Sequence, residues 1–370
     1  MQKNDKQCVY YHPGIGTVGK VDAWARISQN TKGVFELASG YGLDDEILGA
    51  YTFLVEHYQD DDCVFLFGFS RGAYTVRALA GFIHIIGLLP LDQLNIANYA
   101  LSAYKKTVEK GKAHQAADLH PAWQFGKTNS TRPITIDFLG VCGIPIPSMQ
   151  TLPYTRRNSS VKVFRHAKAI DERRRFFRLN RWQDPQDRQS VRSAEQGAAR
   201  YQTGLVCRRP RRCRRRLQGR MRRSIQMSSH WMIDEAVEYG PLISTRMRDH
   251  IALGQNDANA SEIFVAPDST AKLHDSMTTA WKSIEWIPKR VKYEEWKSRP
   301  KLDGFYVPCA EPRPFKLVDP FSDGEIEKPT PRIHQSVVDR IDLVPTYRPI
   351  NLPPEHDIEP WPHQIGSRPS

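Results

Sequence analysis

The chain has 370 residues, 40% of them hydrophobic, enough for one large folded domain with an extension. Its net charge of +12 would suit a nucleic-acid binder, but ten arginines and no acid lie between Cys207 and Arg223. The excess belongs to that one segment, so a basic nucleic-acid-binding face is not expected.

Cys8-Val9-Tyr10-Tyr11 reads as a strand, followed by the turn-rich His12-Pro13-Gly14-Ile15-Gly16-Thr17. Leu43 to Tyr58 carries Ile47, Leu48, Tyr51, Leu54 and Val55 at helical spacing, which predicts an amphipathic helix. Cys63-Val64-Phe65-Leu66-Phe67 is a short apolar run of strand formers, and Ala73 to Ile83 reads as a helix. Between them stands Gly68-Phe69-Ser70-Arg71-Gly72, a G-x-S-x-G pentapeptide in the strand–turn–helix setting of a nucleophile elbow. The glycines would let backbones pass closely, Ser70 would project as a nucleophile, and the Arg71 backbone N–H would help hold an oxyanion. The alternative role for Ser70 is an ordinary helix N-cap.

Further along, Leu94 to Val108 predicts a helix and Ile134 to Val141 a strand, with Asp137 an anomaly at its centre. Asp171 to Phe177 and His230 to Tyr239 read as helices. Alternating strands and helices predict an α/β fold, a mostly parallel sheet with helices on both faces. From about Asn256 prolines cluster, which predicts an irregular extension over 256–370, anchored by Trp281, Trp286 and Trp296 and ending in a loose tail. The hydrolase-like domain would then be residues 1–255.

No apolar run reaches the ~20 residues that span a bilayer, and no signal peptide is visible behind Met1. The six cysteines form no C-x-x-C pair and no zinc spacing, so free thiols in a reducing compartment and no metal or cofactor are expected.

Several segments resemble, in order, an uncharacterised α/β-hydrolase family that includes the catalytic domains of type VI secretion phospholipase effectors. They are Tyr10-Tyr11-His12-Pro13-Gly14-Ile15-Gly16-Thr17, the pentapeptide with Ala73-Tyr74, Phe138-Leu139-Gly140-Val141, and Leu152-Pro153-Tyr154-Thr155-Arg156-Arg157-Asn158. Arg165-His166-Ala167 with Asp171-Glu172-Arg173-Arg174, and Trp231-Met232-Ile233-Asp234-Glu235-Ala236, complete the set. The resemblance spans roughly residues 8–250. It implies a Ser-His-Asp esterase acting on lipids or related esters, with cytoplasmic residence or delivery by a secretion system without a signal peptide. Fold alone fixes no substrate.

The chain departs from that pattern in three places. The family's opening strand and D-G-T-G-N-like loop would precede the segment at which this sequence starts, so an edge of the sheet and half of an oxyanion hole are expected to be missing. After Phe138-Leu139-Gly140-Val141 the family carries W-D-T, where this chain has Cys142-Gly143-Ile144-Pro145. Where the family carries G-V-H-x-D-V-G-G-G-Y, whose His would be the base, this chain has the arginine run.

A shifted reading frame accounts for the last two. Back-translated from Ala199 and read one base later, permitted codons give L-D-I-K-Q-V-W-F-A-G-V-H-A-D-V-G-G-G-Y-K. The missing His would overlie Pro210 and the missing Asp Arg212. Cys142 to Gln150, read from the third base of Cys142, permits W-D-T-Y-S-I-D-A. The domain is thus expected to be disrupted at about 142–150 and 199–229. Ten guanidiniums cannot replace a buried apolar strand, so residues 200–225 are expected to stay in solvent, unpaired. Only Ser70 then remains at its family position. His334 is the first candidate for a substitute base, with His274 and His166 behind it. Arg156, Arg157, Arg173 and Arg174 are candidates for a phosphoryl head group or for plain ion pairs. Hydrolysis by the chain as written is expected to be impaired, with a non-catalytic remnant or interaction protein as the alternative and, behind these, a nucleic-acid binder through the arginine run.

Overall fold

A computed structural model describes residues 4–12, 42–106, 120–129, 131–142, 152–174, 182, 200–206, 223–256 and 331–360, with short stretches between 266 and 307. It divides into two compact units, Met1–Arg165 with Leu179–Gln202, and His166–Arg178 with Thr203–Ser370.

The first unit is built around one strand-to-helix hairpin of chain. Helix α1 (Leu43–His57) buries Leu43, Ile47, Tyr51 and Val55, the face its sequence spacing predicts, and opens on Asp44, Asp45 and Glu46. Acidic residues in a first turn are favoured by the helix dipole. Strand β1 (Phe65–Phe69) runs into helix α2 (Arg71–Ile86) with one residue, Ser70, between them. β1 pairs in parallel with β2 (Phe138–Cys142), in a register that sets Gly68 against Val141 and Phe69 against Cys142. A 3-10 turn (Leu91–Ile96) leads into α3 (Ala97–Lys106), and α4 (His120–Thr128) follows. Both helices pack on α2 and on each other.

α2 is the core of this unit. Ala78, Leu79, Ala80, Phe82, Ile83 and Ile86 are fully or almost fully buried in a cluster shared with α1, α3 and β2. Each of the buried leucine, isoleucine and phenylalanine side chains contributes about 1.5–3 kcal/mol relative to exposure. The Tyr51 hydroxyl donates to the Gly87 carbonyl and accepts from the Leu89 N–H, tying α1 to the end of α2. Burial pushes that phenol up to about 12. Asp137, anomalous in the sequence, accepts from the Val64 N–H (2.8 Å) and from Lys162 Nζ (2.7 Å), which locks the entry of β1 to that of β2.

Strand β3 (Val163–Ala169) begins in the first unit and continues into the second. Strand β4 (Arg200–Val206) likewise runs from the first unit into the second, where Gly204 and Leu205 pair in parallel with β7 (Arg332–His334), and β7 pairs in parallel with β8 (Asp357–Glu359). Helices α5 (Arg223–Val237) and α6 (Thr245–Ala252) pack together, and β5 (Lys289–Arg290) and β6 (Phe305–Tyr306) form a small antiparallel pair. Helix α7 (Gln335–Leu343) follows β7 directly.

The architecture is α/β with parallel pairing, and several expectations need correction. Cys8–Tyr11 forms no strand, and Tyr11 is exposed. Asp171–Arg174 is not helical: the Glu172 carboxylate there grips its neighbour Arg174 through the backbone N–H, Nε and Nη2, which competes with a helical turn. Residues 200–206 form a paired strand, where an unpaired segment was expected. Tyr201, Thr203, Leu205 and Val206 are strand formers, and the arginine run begins only at Arg208. Residues 207–222, like Gly143 to Gln150, lie outside the described residues. The C-terminal part is not irregular throughout, because β7, α7 and the loop after α7 bury Ile333, Val337 and Tyr347 against Ile170, and β8 pairs with β7. Trp286 is 70% exposed and anchors nothing by burial. Trp281 and Trp296 lie outside the described residues.

Candidate active site

Ser70 occupies the corner between β1 and α2 with φ 55° and ψ −120°. A non-glycine residue there is strained by about 1–3 kcal/mol, and such strain persists where the surroundings over-determine it. Three observations supply that determination. The Ser70 N–H donates to the Cys142 carbonyl at 2.8 Å, and its own carbonyl accepts from the Ala73 N–H at 3.0 Å. Gly68 lies so close to α2 that a Cβ on it would stand 2.4 Å from the Gly72 carbonyl oxygen and 2.7 Å from Ala73 Cα. Ser70 is the residue before the first helical position, yet its side chain makes no cap hydrogen bond. The N-cap role weighed from the sequence is therefore not the one it plays.

The two glycines of the pentapeptide differ. Gly68 is required by close approach, whereas a Cβ on Gly72 would meet nothing within 4 Å. The expectation that both allow backbones to pass closely holds for the first alone.

Beside the corner lies a polar cluster that the sequence did not single out. The buried Glu46 carboxylate of α1 receives Arg71 Nη2 on one oxygen and Thr75 Oγ1, at 2.9 Å, on the other. His12 Nδ1 lies 4.0 Å from the same carboxylate. Burial lowers the Arg71 guanidinium below its ordinary value. Only the acidic run Asp44-Asp45-Glu46 hinted at this, and it reads equally as a dipole-matched helix start.

The candidate bases fare differently. His334 is fully buried at the junction of β7 and α7. Its Nδ1 accepts from the Ser336 N–H at 3.2 Å and lies 2.8 Å from Ser336 Oγ, so the ring caps α7. Burial, then the nearby His230 charge, push it down to about 4, partly opposed by Asp339. Ser70 belongs to the first compact unit and His334 to the second. His166 is buried on β3, and His274 lies outside the described residues.

Among the candidate arginines, Arg174 is paired with buried Glu172 at 2.9 Å. A different arginine proves the more deeply set. Arg77 on α2 donates from Nε to the Thr155 carbonyl at 2.7 Å and packs its guanidinium over the Phe164 and Trp182 rings. Burial first and the charge of Arg156 second push it down to about 9. It holds the Leu152–Asn158 segment to the elbow helix, with help from Asn158 Nδ2 donating to the Ala80 carbonyl at 2.9 Å. Two other polar pairs also escaped the sequence reading: His84 Nδ1 with Ser160 Oγ at 2.7 Å, and His230 Nε2 with Asp234 at 2.8 Å. Among the described residues no group of three or more His, Cys, Asp or Glu could hold a metal ion, and no helix is long and apolar enough to cross a membrane.

A strained serine thus stands at a strand-to-helix corner of an α/β structure, with parallel β-strand pairing beside it. Residues 1–276 match the family described as "T6SS, Phospholipase effector Tle1-like, catalytic domain", and the chain belongs to that family. It is also 32% identical over 185 residues to "Uncharacterized protein YEL023C" of Saccharomyces cerevisiae, an alignment covering 47% of this chain and 27% of that relative. The chain thus spans about a quarter of the relative's length. No solved structure matches.

Proposed function

We propose that Ser70 is the nucleophile of a serine esterase acting on phospholipids or related acyl esters. The observation that carries this reading is the backbone of Ser70. Its positive φ at a sharp strand-to-helix turn, enforced by Gly68 and by the Cys142 carbonyl, is the geometry that lifts a serine hydroxyl clear of its own helix. The serine would attack the ester carbonyl. A histidine would take its proton, a carboxylate would orient that histidine, and the Arg71 N–H would steady the oxyanion. Family membership supports lipid as the substrate class, with no cofactor or metal required. Residence in the cytoplasm, or delivery through a secretion system, goes with the same reading.

The chain as written is impaired. Cys142 stands at the end of β2 beside the corner, where the family's W-D-T would begin, and Pro210 and Arg212 replace the G-V-H-x-D residues. His334 is a weak substitute, since its Nδ1 caps α7 and a ring pushed to about 4 makes a poor base at neutral pH. Shifted reading frames over 142–150 and from 199 explain both losses.

The test is hydrolysis of short acyl esters by the purified chain, by Ser70→Ala and by His334→Ala. Turnover near that of Ser70→Ala is the expected result. Robust turnover, lost in both variants, would make His334 the base and remove the impairment from the reading.

A further inference from the structure

Helices α3 and α4 each bury one side and leave the other to solvent. Their inward sides are the core: Ala97, Ala100, Leu101 and Tyr104 on α3, Ala122 and Gly126 on α4. A Cβ on Gly126 would stand 3.0 Å from the Ile86 carbonyl oxygen, so α4 is pressed against the end of α2 with its outward side fixed. On the outward sides Tyr99 is 71% exposed and Trp123 50%, and Leu91 in the turn before α3 is 62% exposed. Lys127 Nζ lies 6.0 Å over the Trp123 ring, one helical turn on, and Lys106 is exposed at the end of α3.

The exposed charges on these helices are mostly positive. Between Leu91 and Lys106 and between His120 and Thr128 the only acid is Asp92. Lys105 is matched by Asp44, at 2.8 Å, which leaves Lys106 and Lys127 as the outward cations. Tryptophan and tyrosine, amphipathic rings with a polar tip, favour the boundary between lipid and water. Lysine there adds attraction to an anionic headgroup layer, while its stem lies along apolar surface.

We infer that the outward face of α3 and α4, carrying Tyr99, Trp123, Lys106 and Lys127, docks on the surface of an anionic phospholipid bilayer. The inference rests on the lipid-substrate reading, and it adds where the protein meets the membrane. The occupant is argued from the charge of the face and from its aromatic side chains; a protein partner would leave vesicle binding absent.

Vesicle flotation tests it. The protein is the full chain carrying Ser70→Ala, so that no lipid is consumed, and the probes are phosphatidylcholine vesicles with and without phosphatidylglycerol. Flotation with the anionic vesicles is expected. Replacing Trp123 and Tyr99 together by Ala should weaken it about tenfold, and Lys127→Ala about fivefold at low salt. These are surface positions, so an unchanged thermal melt checks that the fold is kept. No flotation overturns the inference. Flotation that ignores these changes and disappears when Arg208 to Arg216 are replaced by Gln also overturns it, and assigns binding to the arginine run. Flotation through this face with no Ser70-dependent hydrolysis of any ester would keep the inference and remove the esterase reading.

Discussion

Two strand-to-helix corners in this molecule use the same topology for opposite ends. At one, β1 passes through Ser70 into α2. At the other, β7 ends at His334 and α7 begins at the next residue. Ser70 sits at φ 55°, part-exposed, with a side chain that makes no cap. His334 sits at φ −64° and ψ 140°, fully buried, with its ring committed to the α7 backbone. A strained, uncapped corner does not use its side chain to cap the helix, whereas a relaxed, capped corner commits it to stability. Motif spacing alone does not separate the two, because both residues precede a helix and both are types that serve hydrolases.

The two glycines of the pentapeptide should respond oppositely to an added methyl group. Gly68→Ala is expected to cost about 3 kcal/mol or more, because the atoms a Cβ would strike are backbone of α2. Gly72→Ala should be neutral or stabilising by up to about 1 kcal/mol, since it fills open space in a helix. Equal effects in urea denaturation would mean that the corner is not held by close approach. Glu46→Gln comes next. It removes the carboxylate charge that Arg71 meets in a part-buried position, with an expected loss of about 1–3 kcal/mol in the same assay.

The His334 corner is probed by pH. Its folded value, about 4, lies below the ordinary 6.5, so the unfolded chain binds the proton more readily. The stability it contributes is complete above pH 6.5 and is lost as pH falls toward 4, by about 3 kcal/mol. His334→Asn keeps a good capping side chain and removes the titration. Stability measured between those pH values should therefore fall less steeply in the variant. An unchanged slope would mean that His334 is not the buried neutral ring described. The smallest effect is expected at Asp60, whose exposed side chain meets Arg132 at 3.0 Å. Asp60→Ala should change stability by about 0.5 kcal/mol or less.

The elements nearest the corner were legible because their signals agree. α1 and α2 carry apolar residues at helical spacing, β1 is a compact apolar run, and the pentapeptide marks the turn between them. Elsewhere one signal had to carry the assignment. Cys8–Tyr11 has strand formers but pairs with nothing as a strand; instead the Tyr10 ring packs 5.3 Å from Phe53 on α1. β7 and β8 are three residues each, too short for a pattern, and the prolines around them suggested an irregular extension. Their order comes from tertiary contacts: the Tyr347 hydroxyl with Asp171 at 3.1 Å, and Asn351 Nδ2 donating to the Ile170 carbonyl at 2.9 Å. The Glu46–Arg71–Thr75 cluster was hidden for the same reason, since nothing local links residue 46 to residue 71.

The central claim, that Ser70 is a hydrolytic nucleophile in a chain that lacks its base and acid, is tested most directly by restoring the reading frames. The chain is expressed with residues 142–150 and those from 199 replaced by the shifted-frame peptides. Its initial rate on a short acyl ester is then compared with the same protein carrying Ser70→Ala. The account predicts turnover well above that of the chain as written, abolished by Ser70→Ala. Turnover that survives Ser70→Ala, or a restored protein no faster than the original, would contradict it.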